Sequence, residues 1–268
     1  MTQTPAMQEW KSALRSLIAL SHTLTDSEWT TASPCPEWTV ADLVAHSADL
    51  ESLLADEPRP THEPPWDILE HVSTDFGRFT EIGVDVRRSW SQDDVLRDLE
   101  GSHDRAVTHV AGLPDDATKR WLRGIELPVS TILQMRTFDA WVHEQDIRVA
   151  TVHPGNESGS GAVEAWNYLT AGLPKAWSKS AQAPVGTSVT ITTVEPGIGR
   201  QCRVGTGPDG RGKTWEEPET TCSIVLPWIS FVMIASGRTT TENMAATAEI
   251  SGDGDLAGRL LSSMAVTP

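Results

Sequence analysis

The stretch ILQMRTFDAWVHEQDIRVA, residues 132–150, decides how the chain is read. At about 100° per residue, Met135, Phe138, Val142 and Val149 fall on one apolar line of a helix. Ile132, Arg136, Asp139, His143 and Asp146 fall on the neighbouring line, while Thr137, Trp141, Glu144 and Arg148 lie opposite the apolar one. The helix therefore turns a polar stripe partly inward, beside its hydrophobic contact face. Carboxylates and imidazoles taken out of water need a partner, and a bound cation supplies one. Asp139 and His143, four residues apart, project side by side and make a workable pair of metal ligands. The same D-x-x-x-H spacing also reads as a surface salt bridge or a cap. Arg136 reads equally as a cation for an anionic substrate or as an ion-pair partner of Asp139 or Asp146.

A third ligand has to come from another helix. In TVADLVAHSADLESLL, residues 39–54, Leu43, Leu50 and Leu54 mark the apolar face, and His46 sits at its edge beside Leu50 and Leu53. An antiparallel bundle brings such a residue opposite the Asp139/His143 pair. A histidine at that edge is also commonly a satisfied core residue. Two imidazoles and one carboxylate suit zinc or another divalent first-row metal, and three protein ligands leave a coordination position open, as catalytic sites do. Glu144 adjoins His143 but points about 100° away, so Asp139 is the expected carboxylate.

The rest of the first half is punctuated as helices. Thr4-Pro5 opens one to about Leu20, and Thr39 with Asp42 caps the next, to about Ala55. A Pro-rich loop (DEPRPTHEPP) precedes a helix expected over Trp66 to Arg88. Ser91 with Asp94 opens another to about Ala111, and Val129 to Ala150 forms the long one. Fifteen of the 20 glycines fall at or after Gly155, whereas all eight histidines fall at or before His153, so the chain changes character partway. Val185 to Val194, Gln201 to Gly205 and Thr220 to Leu226 read as strands, and Trp228 to Ser236 and Asp255 to Met264 as short helices. Gly161 to Trp177 still reads as helix, which puts the boundary near 180. The expected fold is α plus α+β: an antiparallel helical bundle over residues 1–180 and a smaller α+β domain over 181–268.

Charge and hydropathy remove several functions. A net charge of −16 argues against a nucleic-acid surface, which needs clustered Lys and Arg. Ile224 to Ala235, interrupted by Pro227 and Ser230, is too short to span a bilayer, and MTQTPAMQEW has no basic flank followed by an apolar run. Three cysteines without metal-type pairing fit a reducing, cytoplasmic setting. Cys35 reads as a turn residue, and Cys202 and Cys222 as small buried apolar groups. A monomer or a homodimer is expected.

PCPEWTVADLVAH, residues 34–46, resembles the N-terminal signature of the mycothiol-dependent maleylpyruvate isomerase-like family, within the DinB-like superfamily. That signature is a Cys-Pro-Gly-Trp-Thr-Val turn leading into a helix that closes the motif with His. DAWVHEQD, residues 139–146, looks like the family's second motif, Glu-x-x-x-His-x-x-Asp. ASGR at 235–238 and the ending ISGDGDLAGRLLSSMAVTP are similar to its C-terminal pattern. The resemblance implies a DinB-like helical bundle followed by a smaller α+β domain. It implies a divalent metal, usually zinc, on His46, Asp139 and His143, with Asp146 orienting a ligand or accepting a proton. Two positions depart from the pattern: Asp139 stands where the family usually has Glu, and Glu37 where the turn usually has Gly.

The implied cosubstrate is mycothiol, a low-molecular-weight thiol of actinobacteria, whose thiolate is the nucleophilic form. Attack on an electrophilic small molecule gives S-transfer or thiol exchange, the reading favoured here. Addition to a conjugated double bond, rotation and departure gives cis–trans isomerisation of a maleylpyruvate-type substrate. Candidate cations for an anionic partner are Arg136 and, from the second domain, Arg238, with Arg78, Arg87 and Arg88 further options. A non-catalytic small-molecule or lipid binder, built around LPWISFVMIA in the second domain, is the alternative of another class.

Overall fold

The computed structural model describes residues 4–238 and 245–267. The chain divides into two compact units between His153 and Pro154. No helix among the described residues is long and apolar enough to cross a membrane.

The first unit is built on helices whose starts the sequence dictates. Helix α1 (Pro5–Ser21) opens on Thr4, whose hydroxyl accepts from the Met7 amide, with Pro5 at a position where no amide proton is needed. A short α2 (Asp26–Trp29) follows behind the Thr25/Glu28 capping box. Helix α3 (Val40–Leu54) starts on a second box, in which Thr39 accepts from the Asp42 amide and Asp42 accepts from the Thr39 amide at 2.9 Å. Helix α4 is Asp75–Asp85 and α5 is Gln92–Ala111, opened by Thr74 and Ser91. A small hairpin, β1 (Thr118–Arg120) with β2 (Glu126–Pro128), leads into α6 (Val129–Thr151). Helix α1 packs along α6, and α3 packs against α5 and α4. Trp10, Leu14, Leu17, Leu43, Leu54, Leu99 and Ile132 are fully buried between them.

Three expectations need correction. The helix expected from Trp66 begins only at Asp75, because its hydrogen-bonding cap is Thr74; Ile68, in the preceding segment, stays in water. The side of α6 opposite the apolar line is not outward: Thr137, Trp141 and Glu144 are all buried. There Ser16 of α1 donates its hydroxyl proton to Glu144 at 3.0 Å, and Arg148 pairs with the same carboxylate at 2.7 Å. The division falls before α7 (Ser160–Lys175) rather than near 180, because that helix packs on strands of the second unit.

The second unit is a five-stranded sheet with helices against it. Strands β3 (Ser188–Val194), β4 (Gln201–Thr206), β5 (Gly212–Thr214), β6 (Cys222–Pro227) and β7 (Glu249–Gly252) run in the order β5-β4-β3-β6-β7. The β3–β6 pair is parallel, with Ile191 opposite Ile224, and the other neighbours are antiparallel. Helix α7 lies against β4 and β5, α8 (Trp228–Ala235) against β3 and β6, and α9 (Gly254–Ser263) against β6 and β7. Trp166, Trp228 and Phe231 form an aromatic cluster with ring centroids 5.7 to 6.2 Å apart. The apolar run of α8 is thereby consumed as core: Trp228, Phe231, Val232, Met233 and Ile234 are all buried.

Helices α3 and α4 approach closely at Gly83. A Cβ there would stand 2.1 Å from the Asp49 carboxyl carbon, and Asp49 is buried and gripped by Arg59 and Arg87. Alanine would gain about 1 kcal/mol of helix propensity but overpack by roughly 1–3 kcal/mol against a carboxylate that cannot swing away. Gly83→Ala is therefore expected to lower the urea midpoint. A raised midpoint would show that the Asp49 contact yields.

Candidate metal centre

The site is assembled from α3, α6 and the turn before α3. The Ser33–Trp38 turn is closed by the Ser33 amide donating to the Trp38 carbonyl at 2.8 Å. Within it Glu37 adopts a left-handed φ of 62°, the conformation that favours glycine. This is the position where the resembled signature carries Gly. The turn delivers Trp38 over the metal-ligand candidates, with its ring centroid 5.0 Å from that of His46 and 6.4 Å from that of His143. The indole N–H donates to Glu81 at 3.1 Å, which fixes the ring plane.

His46, Asp139 and His143 converge. Nε2 of His46 is 3.7 Å from Asp139 Oδ1, and Nε2 of His143 is 3.6 Å from the same oxygen. The imidazoles meet edge to face, with centroids 5.1 Å apart. One ligand atom from each of the three residues lies within 4.8 Å of the other two. Those separations exceed a hydrogen bond. They lie near the ~3.4 Å expected between donors each about 2.0–2.1 Å from one tetrahedral ion. Both imidazoles are buried, and the Asp139 side chain keeps 26% of its surface in contact with solvent, so the cluster has one open side.

Two of the three candidate ligands, His143 and Asp139, are held from behind. The Nδ1–H of His143 donates to Asp146 Oδ2 at 3.0 Å, which leaves Nε2 with its lone pair facing the cluster. The Nη1–H of Arg136 donates to Asp139 Oδ2, while Nε–H and Nη2–H donate to Glu51 Oε1 at 3.1 and 3.0 Å. Glu51 also accepts from Trp10 Nε1 at 3.1 Å and pairs with His103 Nδ1 at 2.8 Å. His46 Nδ1, by contrast, is buried and finds no hydrogen-bond partner among the described residues.

Electrostatics follow from this packing. Burial pushes the His46 imidazole down, toward the neutral form that ligates metals. For His143, burial pulls the same way, but the Asp139 and Asp146 carboxylates outweigh it and hold its pKa up. Burial alone would raise Asp139, yet His143 and Arg136 hold its carboxyl well below the usual range. With both imidazoles neutral, Asp139, Asp146 and Glu51 set three formal negative charges against the single one of Arg136. A proton on His143 or a bound cation offsets that surplus, and N, N, O donors suit a divalent first-row metal. The residues present therefore fit the group that the sequence implies.

The remaining candidates lie elsewhere. Arg87 is taken by Asp98 and the Gly83 carbonyl, Arg88 by Asp42, Glu81 and Asp85, and Arg78 lies over the Trp66 ring. Arg238 belongs to the second unit, where it is buried and donates to the Ser236 carbonyl at 2.8 Å. Cys35 is half-buried in the turn, and burial pushes the thiols of Cys202 and Cys222 up to about 12 and about 11. Sequence reasoning missed Glu51, Trp10 and His103. The sole signal for Glu51 was an acid set among leucines in LESLL.

Residues 10–148 match the family described as the Mycothiol maleylpyruvate isomerase N-terminal domain. Among solved structures, the chain is similar to the crystal structure of a mycothiol-dependent maleylpyruvate isomerase, at 15% identity and a TM-score of 0.57, over 94% of this chain and 96% of that one. A mutant of that isomerase with one histidine replaced by alanine matches at 15% identity and a TM-score of 0.56, with the same coverage. At that identity the likeness shows the fold. No curated protein matches the sequence.

Replacing Asp146 by Asn removes the anion behind His143. The imidazole pKa should then fall, so protonation competes with metal only at lower pH, yet the ring is a poorer donor. Asp146→Asn is expected to weaken zinc binding roughly 10–100-fold, the usual cost of losing an outer partner. The measurements are a chelator competition and an NMR titration of the His143 ring in metal-free protein. Unchanged affinity would remove Asp146 from the site.

Proposed function

The chain belongs to the mycothiol maleylpyruvate isomerase family, and we propose from that premise that it is a mycothiol-dependent cis–trans isomerase of a small maleylpyruvate-type substrate. The observation that carries the proposal is the convergence of His46, Asp139 and His143 from two helices. In this reading His46, Asp139 and His143 hold a divalent cation, with zinc the first choice. Bound there, such a cation stabilises the thiolate of a low-molecular-weight thiol near neutral pH, where a free thiol with a pKa of about 8.5 is mostly protonated.

The chain's own residues do the rest. Asp146 keeps the His143 proton on Nδ1, and Arg136 keeps Asp139 Oδ2 occupied, so one carboxylate oxygen faces the cluster. Trp38 covers the two imidazoles and excludes water from that side. The thiolate adds to one carbon of the conjugated double bond, the bond that has become single rotates, and the thiolate leaves with its electron pair. No atom is gained or lost, and the thiol is regenerated. S-transfer, favoured on sequence, would require the thiol to stay on the product. The family and both matched structures are isomerases, which favours release. Arg238 is assigned to the thiol cosubstrate, on the C-terminal resemblance.

Zinc-loaded protein with mycothiol and maleylpyruvate should convert the cis isomer without consuming thiol. A thiol adduct accumulating by mass would replace isomerisation by S-transfer. His46→Ala should lose zinc and turnover by at least the roughly 10–100-fold that an outer partner is worth. Turnover that survives His46→Ala would overturn the proposal. Arg238→Ala should retain zinc and raise the KM for thiol selectively; an unchanged KM would release Arg238 from that role.

A further inference from the structure

Glu51 is fully buried, on α3, and it is not among the groups that could touch a metal. It nevertheless makes four hydrogen-bonding contacts behind the site. Oε1 accepts from Arg136 Nε, Arg136 Nη2 and Trp10 Nε1, and Oε2 pairs with His103 Nδ1. Trp10 and His103 also meet edge to face, with ring centroids 5.0 Å apart. Helices α1, α3, α5 and α6 thus each contribute one side chain to a single buried cluster.

The consequence runs through Arg136. A guanidinium is a rigid planar fork, so fixing two of its N–H groups fixes the direction of the third nitrogen. Glu51 holds Nε and Nη2, and Nη1 is thereby aimed at Asp139 Oδ2. With Oδ2 taken, Oδ1 is the oxygen turned toward both imidazole Nε2 atoms. We propose that Glu51 is a positioning residue of the metal centre, which orients Asp139 through Arg136 so that one chosen carboxylate oxygen is presented to the cation. This rests on the metal-binding reading above and adds to it a residue five positions beyond His46 on the same helix.

Zinc affinity by chelator competition tests it, together with the visible absorption of the cobalt(II) form and the far-UV spectrum of metal-free protein. Glu51→Gln keeps an oxygen for Arg136 but loses the charge that grips it. Arg136→Lys keeps the charge but loses the fork. Both are expected to bind zinc roughly 10–100-fold more weakly and to shift the cobalt spectrum, with metal-free helix content retained. The two losses should not add in the double variant, because they act along one chain of contacts. Weakening by Glu51→Gln with full affinity in Arg136→Lys would mean long-range charge and would overturn the positioning role. So would parental affinity in both. If Glu51→Gln does not fold, Arg136→Lys and its cobalt spectrum decide alone. Failure of the unsubstituted protein to bind zinc or cobalt would sink the metal reading itself, a result distinct from parental affinity in the variants.

Discussion

Everything at the centre depends on keeping Arg136 charged and fully enclosed between α3 and α6. Its exposure is 1%, and removing such a group from water costs several kcal/mol unless carboxylates meet it with good geometry. Glu51 and Asp139 supply that geometry, and their proximity raises the guanidinium pKa despite the opposing effect of burial. The arrangement binds two helices whose partner residues are 85 positions apart in the chain. Loss of either carboxylate would strip a buried cation of one of these two partners, so the same contacts that shape the site also hold the bundle closed.

Around this pair the structure divides labour by chemistry. The aliphatic faces of α1, α3, α5 and α6 fill the interior and make the helices rigid. The second layer, Trp38 with Glu81 and His143 with Asp146, spends its hydrogen bonds on fixing ring planes rather than on contacting a ligand. Asp42 serves two ends at once, capping α3 with one oxygen and receiving Arg88 from beyond α4 with the other. The turn that carries Trp38 accepts a left-handed glutamate at position 37, at a cost of about 1–2 kcal/mol. That cost is tolerable because capping of α3 and packing of the half-buried indole both require the chain to reverse there.

How much of this was legible follows from the range of each interaction. Asp139 and His143 share a helix at a spacing that the periodicity alone resolves, and His46 betrayed itself as a polar residue at the margin of an apolar face. The caps of α1, α3 and α5 were equally local. Glu51, Trp10 and His103 were not legible, because their meaning lies in contacts 41 and 52 residues apart that no periodicity encodes. The three-residue strands β1, β2 and β5 carry too few side chains to show alternation, and β7 leaves all four residues exposed, without an apolar face. Helix α7 was read correctly as a helix but assigned to the wrong unit. Its composition is that of the bundle, whereas its packing partner is the sheet.

The aspartate at position 139 then has a physical rationale. An aspartyl side chain is one methylene shorter than a glutamyl one and sweeps less space, so its two oxygens are harder to place independently. Arg136, one turn earlier on the same helix, claims Oδ2 and leaves Oδ1 nearly equidistant from the two imidazole nitrogens, 3.6 and 3.7 Å away. A longer glutamate would carry both oxygens further from the backbone and past the reach at which that guanidinium is held. The shorter candidate ligand and the buried arginine are therefore one solution: the carboxylate gives up an oxygen to the protein, and one oxygen is left beside two nitrogens on a side that solvent can still enter.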